Sequence, residues 1–216
     1  MDTNVARVVK RESNTPKDLR RQEKMRQIVD AATEVFLEDG FTAASIDRIV
    51  EKAGVSKRTL YNYYPSKEEI FIDVMEKQLG AFYKYFEPSP RKFTTLEEEL
   101  RQVGNDLLAI AYAPETIALF RNVAAEAQRF PKLASRFLEE SCEKVIDGIA
   151  KIFEREGERA GLRIADTHEA AEHFLDLLGG AAYNRAVFGT EPNMTNKKIK
   201  ARTEQALRYL FKVYEC

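Results

Sequence analysis

Apolar residues recur along this chain at helical spacing rather than in alternation. Met25, Ile28, Val29, Ala32, Val35 and Phe36 share one face of a helix, and Gly40 supplies its stop. A shorter pattern follows in Ile46, Ile49, Val50 and Ala53, with Ser45 in front as N-cap and Gly54 behind. Ser56 can cap a third helix, in which Val55 and Leu60 are placed to staple the first turn. Pro65 ends it, and Ser66 with Glu69 forms a capping box for a fourth helix running to about Phe86.

Residues 87–92, Glu-Pro-Ser-Pro-Arg-Lys, are the clearest break and predict a loop. Thr95 and Glu98 form another capping box, leading into Leu100, Val103, Leu107, Leu108 and Ile110. Pro114 and Pro131 suit the first turns of two more helices, the second long and fraying at Gly157 and Gly161. Asp166 opens a helix that carries Ala170, Phe174, Leu177, Leu178 and Ala181 and stops at Gly189. Thr195 caps the last, striped by Ile199, Ala206, Leu210, Val213 and Tyr214. No segment alternates long enough for a strand. The pattern predicts an all-α chain of about nine helices: a basic mobile arm (1–20, without apolar periodicity up to Pro16), three helices laid out as a helix-turn-helix domain (21–67) and a larger helical domain (68–216).

Composition narrows the class. The 216 residues hold 34 Lys+Arg against 35 Asp+Glu, which excludes a polycation and an acidic disordered chain. Cys142 and Cys216 cannot build a disulfide framework, so a reducing cytoplasm fits. No apolar run is long enough for a bilayer, and no membrane partner is expected. The neutrality is uneven: residues 1–67 hold 13 Lys+Arg and 10 Asp+Glu, residues 68–216 hold 21 and 25. The positive excess surrounds the second and third short helices, where Arg48, Lys52, Lys57, Arg58 and Lys67 face Asp47 and Glu51.

Helix, short helix, tight turn at Gly54, short helix is the layout of a helix-turn-helix. Burying Leu60 turns Lys57, Arg58, Tyr61 and Asn62 outward. Arg and Lys donate to guanine, Asn pairs with adenine, and Tyr donates to phosphate. Ser45 and Lys67 stand at helix starts, where backbone amides favour phosphate. Of the tyrosine cluster, Tyr64 is expected in the core and Tyr61 outside, with Tyr63 open.

The runs at 31–36 (Ala-Ala-Thr-Glu-Val-Phe), 40–41 (Gly-Phe), 44–50 (Ala-Ser-Ile-Asp-Arg-Ile-Val) and 53–70 (Ala-Gly-Val-Ser-Lys-Arg-Thr-Leu-Tyr-Asn-Tyr-Tyr-Pro-Ser-Lys-Glu-Glu-Ile) resemble the DNA-binding domain of TetR-family transcriptional regulators. The resemblance implies phosphate contacts at Ser45, Tyr61, Tyr63 and Lys67, and base readers at Lys57, Arg58 and Asn62 with Thr59 beside them. Ala44, Arg58 and the pair Tyr63-Tyr64 depart from the commonest residues, and Arg58 adds a donor at the groove. Residues 118–134 and 170–180 are similar to the ligand-binding domain of the AefR-like branch. That likeness implies a homodimer on a palindromic double-stranded DNA operator and a pocket for a small hydrophobic or amphipathic effector. Pocket candidates are Phe86, Leu107, Ile110, Phe120, Arg121, Glu126 and His173; Arg121 and Glu126 suit a surface ion pair equally well. Interface candidates on the last two long helices are Phe174, Leu177, Leu178, Ala181, Leu210 and Tyr214.

His168 and His173 stand five apart, off one helix face, so no metal site is expected, and no cofactor. Cys142 is expected to pack as a small apolar residue, and the sequon at Asn193 means nothing in a cytoplasmic chain. A ligand-responsive repressor is the first functional expectation. The alternatives are an activator or DNA-binding protein without effector control, and an enzyme on a helical scaffold, which lacks the usual nucleotide, hydrolase and zinc-protease motifs.

Overall fold

The computed structural model describes residues 15–83, 93–190 and 194–215, with the side chains of 78, 79 and 81–83 outside the description. Helix α1 (Pro16–Ala43) opens with Pro at its first turn, its N-cap Thr15 accepting from Asp18 N. Residues 16–20 are therefore helical, which moves the expected arm boundary back to about residue 15. Gly40, at φ 75 and ψ 170, breaks α1 where the sequence placed a stop. Then come α2 (Ile46–Ala53), α3 (Lys57–Tyr63) and α4 (Lys67–Tyr83). The second part comprises α5 (Leu96–Ala111), α6 (Pro114–Glu126), α7 (Pro131–Leu138), a π turn (Glu139–Glu143), α8 (Lys144–Glu156), α9 (Thr167–Leu178), α10 (Gly180–Val187) and α11 (Asn196–Tyr214).

With α7, the π turn and α8 forming one rod, the described residues contain ten helices, one more than expected. The difference lies at Gly179 and Gly180. Gly180 has φ 51, and Arg202 of α11 donates to Leu178 O (2.9 Å) and Gly179 O (3.2 Å), satisfying carbonyls that end α9. The helix expected to run from Asp166 to Gly189 is thus two.

Two hydrophobic clusters hold the chain. The first contains Ile28, Val35, Phe36, Phe41, Ile49, Leu60, Tyr64, Ile70 and Phe71. Phe41 packs edge-on to Phe71 (5.3 Å between ring centres) and to Phe130 (5.4 Å). Leu119, Val123, Leu133 and Phe137 join this cluster from α6 and α7, so the expected division after residue 67 does not separate the packing. The second cluster lies among α5, α8, α9 and α11, around Leu100, Ile149, Phe153, Phe174 and Leu210. Truncating a side chain as enclosed as Leu60 costs about 2–5 kcal/mol.

Candidate nucleic-acid interface and adjoining cavity

The caps that aim α2 and α3 are made by serines. Ser45 Oγ accepts from Arg48 N (3.1 Å), Ser56 Oγ accepts from Thr59 N (3.0 Å), and Gly54 turns between them in the left-handed region at φ 63. Leu60 is fully buried, which leaves Lys57, Arg58, Tyr61 and Asn62 exposed on the far side of α3, Tyr61 at 50%. Tyr64 is buried and donates its hydroxyl to Asp73 (2.7 Å); burial, reinforced by that carboxylate, raises its pKa. Tyr63 is half-buried with the Arg21 guanidinium over its ring at 5.1 Å. Thr59 is half-buried, its hydroxyl 2.8 Å from that of Ser56.

Most of the nearby cations are already engaged. Arg48 pairs with Glu38 and Asp39 of α1, and Lys52 pairs with Glu34 (2.5 Å). Lys57 meets Asp47 at 2.6 Å, a bond that raises the lysine pKa. Exposed pairs of this kind contribute little stability, though they fix α2 against α1 and α3 against α2. Lys67 turns inward, donating to the carbonyls of Phe41 (2.7 Å), Thr42 (3.2 Å) and Ala44 (3.0 Å), its ammonium 4.7 Å from the Phe41 ring centre. Burial pushes its pKa down. Among the described residues of 45–67, Arg58 is the one cation without a partner.

A cavity of about 440 Å³ opens between α4, α5, α6, the π turn, α9 and α10. Its walls include Met75, Leu107, Ile110, Phe120, Phe137, Cys142, Leu175, Leu178 and Tyr183, with Thr116, Ser141, Asp176 and Asn184 as polar groups. That volume lies in the usual range for small-molecule sites, about 300–1,000 Å³.

Residues 28–74 match the family of bacterial regulatory proteins of the tetR type, and residues 98–216 match the AefR-like transcriptional repressor C-terminal domain. The chain belongs to the TetR family. Among solved structures it is similar to a TetR-family transcriptional regulator from Mesorhizobium loti MAFF303099 (TM-score 0.78, 25% identity, 91% of this chain and 99% of that one). It is also similar to the flavonoid-responsive regulator FrrA (TM-score 0.74, 34% identity, 90% and 98%). The fatty acid metabolism regulator of Bacillus subtilis (strain 168) is 30% identical over 96 residues, 44% of this chain and 50% of that protein. The chain spans about half or less of the length of the curated relatives it matches.

Within this TetR-family fold the candidate residues separate. Leu107, Ile110 and Phe120 line the cavity. Arg121, Glu126 and His173 do not, for reasons visible in their bonds. Arg121 donates to Ala186 O (2.8 Å) and Val187 O at the end of α10. Glu126 ends α6, near enough to Lys67 to act on its ammonium. His173 Nδ1 lies 2.7 Å from the Tyr214 hydroxyl on an exposed face. Phe86 lies outside the described residues, as do Cys216 and Asn193. Of the interface candidates, Phe174, Leu178 and Leu210 are buried inside the chain, because α9 and α11 spend that face on each other and on α5. Leu177 and Tyr214 are half-buried and Ala181 is exposed. Cys142 opens onto the cavity rather than packing, and burial still pushes its thiol pKa up.

Two further surfaces lie outside the residues expected from sequence. A cationic cleft at the foot of α3 is lined by Lys17, Arg20, Arg21 and Tyr63. Its signal is in the chain: Lys17, Arg20, Arg21 and Lys24 recur at i, i+3, i+4 and i+7, a basic stripe at helical spacing. Phe188 (81% exposed), Tyr209 and Val213 form exposed apolar surface on α10 and α11. Among the described residues no group of three or more His, Cys, Asp or Glu could hold a metal, and no helix is long and apolar enough to cross a membrane.

Proposed function

We propose that this chain is a cytoplasmic DNA-binding transcriptional repressor released from its operator by a small hydrophobic or amphipathic molecule. The observation that carries the reading is the face of α3: Lys57, Arg58, Tyr61 and Asn62 stand outward together because Leu60 is locked into the core. Arg58 and Asn62 are the base readers, Tyr61 and the hydroxyl hydrogen of Ser45 the phosphate contacts, and Lys57 exchanges Asp47 for DNA. Lys67 acts differently from the family pattern, holding the turn before α2 rather than a phosphate.

The 440 Å³ cavity is the effector site. The relatives named for fatty acid metabolism and for flavonoids support a ligand with a large apolar body. Met75 and Phe120 place α4 and α6 in its walls, and both helices pack on α1. A ligand shifts the population towards an arrangement of α4 and α6 that tilts the helix-turn-helix. Two copies associate through α9, α10 and α11, burying Leu177, Ala181, Phe188, Tyr209 and Val213, and set their recognition helices roughly 34–36 Å apart on a palindrome.

Fluorescence anisotropy with DNA from the region upstream of the chain's own coding sequence tests this reading. Sequence-specific binding at moderate salt is expected; its absence overturns the proposal. Expression from the neighbouring promoter in a deletion strain then decides the sign: a rise supports repression, a fall means activation.

A further inference from the structure

The cavity has walls of one chemistry and a charged group of another. Phe120 packs edge-on to Phe137 (6.0 Å) and to Tyr183 (5.8 Å), so aromatic rings of α6, α7 and α10 form one side. Asp176, on the last turn of α9, also lines the cavity, and its carboxylate has no hydrogen-bond or ion-pair partner among the described residues. Of the other polar lining groups, Ser141 spends its proton on Phe137 O (2.5 Å), and Thr116 and Asn184 carry no charge. Burial pushes the Tyr183 hydroxyl up to about 12, so it stays protonated. Among the described lining residues none is Lys, Arg or His.

We propose that this cavity selects an uncharged aromatic ligand that presents a hydroxyl to Asp176, a phenol, and discriminates against carboxylates. The inference rests on the cavity being the effector site. An ionised carboxylate only accepts hydrogen bonds, so its natural complement is a donor. A phenol hydroxyl meeting it makes a short charge-assisted bond, while its ring stacks against Phe120 and Tyr183. A ligand carboxylate in that position would put two negative charges side by side with no lining cation to offset them, which weakens binding.

A matched pair of probes with one apolar body separates the possibilities: 4-phenylphenol and biphenyl-4-carboxylate, titrated calorimetrically into the full chain at pH 7.5. Cys142 alkylation in a Cys216→Ser background reports whether a bound probe occupies the cavity. The phenol is expected to bind at least about tenfold tighter than the carboxylate. Asp176→Asn, at an exposed position, is expected to fold normally and to shrink that ratio below about threefold, mostly by improving carboxylate binding. Equal affinities, or a ratio unchanged in Asp176→Asn, with Cys142 still protected, overturn the selectivity and leave the cavity as the effector site. Binding of neither probe, or binding without protection of Cys142, overturns both.

Discussion

Arg121 and Asn122 are neighbours on α6 that hold different parts of the molecule. Arg121 donates to Ala186 O (2.8 Å) and Val187 O at the end of α10, and Asn122 Nδ2 donates to Phe36 O of α1 (3.0 Å). The residue before them, Phe120, lines the cavity. Movement of one turn of α6 therefore reaches α10 and α1 together. Asn122→Ala is expected to cost about 1 kcal/mol of stability. It is also expected to reduce an effector–operator coupling of about 1–3 kcal/mol. Operator titrations with and without a cavity ligand measure the coupling, and an unchanged value removes α6 from the route.

Lys67 offers a test of structural against phosphate-binding roles. Lys67→Met removes three charge-assisted bonds to backbone carbonyls, and a loss of about 1–3 kcal/mol in thermal or urea unfolding is expected. Operator affinity falls with it, but the slope of log affinity against log salt stays the same. A direct phosphate contact would lower that slope by about one.

On α3, three substitutions are expected to have distinct signatures. Tyr61→Phe weakens binding to all sequences alike. Asn62→Ala relaxes preference at one base pair and costs about 1–3 kcal/mol there. Arg58→Ala acts at a neighbouring base pair, and it removes the one unpartnered cation described between 45 and 67. Competition binding against a library of single-base operator variants reads out all three; uniform loss for Asn62→Ala would reassign that residue to the backbone.

The Cys142 thiol is held above its ordinary pKa, first by burial and also by the neighbouring Glu143. Only the thiolate reacts, so alkylation at pH 8 is expected to be several-fold slower than for a free cysteine. The rate should keep climbing with pH beyond the range where a free thiol has levelled off. A profile already flat above about pH 10, where a free thiol is almost fully ionised, would show an unperturbed thiol.

Much of the fold was legible in the chain because caps and turns are local chemistry. Ser45, Ser56, Thr95, Asp166 and Thr195 all cap where the sequence placed them. What escaped depends on tertiary partners. The glycine pair at 179–180 became a helix break because Arg202, more than twenty residues away, supplies the missing bonds. The inward course of Lys67 depends on carbonyls freed by the break at Gly40. The π turn left a trace that periodicity alone does not name. Leu133, Phe137, Ser141, Val145 and Ile149 are buried at strict intervals of four, which drifts about 40° per step in a straight α-helix. The wider π turn takes up part of that drift and brings Ser141 and Cys142 to the cavity.

The cavity lies on a seam. Met75 and Phe137 belong to one hydrophobic cluster, Leu108, Val145 and Leu178 to the other, and all five line the same space. A molecule filling it would act as shared core, so its presence should alter how the chain melts as well as how it binds DNA. Without ligand the two clusters can lose structure at different temperatures; with ligand they should melt as a single cooperative unit, a change visible in the ratio of van't Hoff to calorimetric enthalpy. The effector would then be, in the calorimeter, a missing piece of the fold.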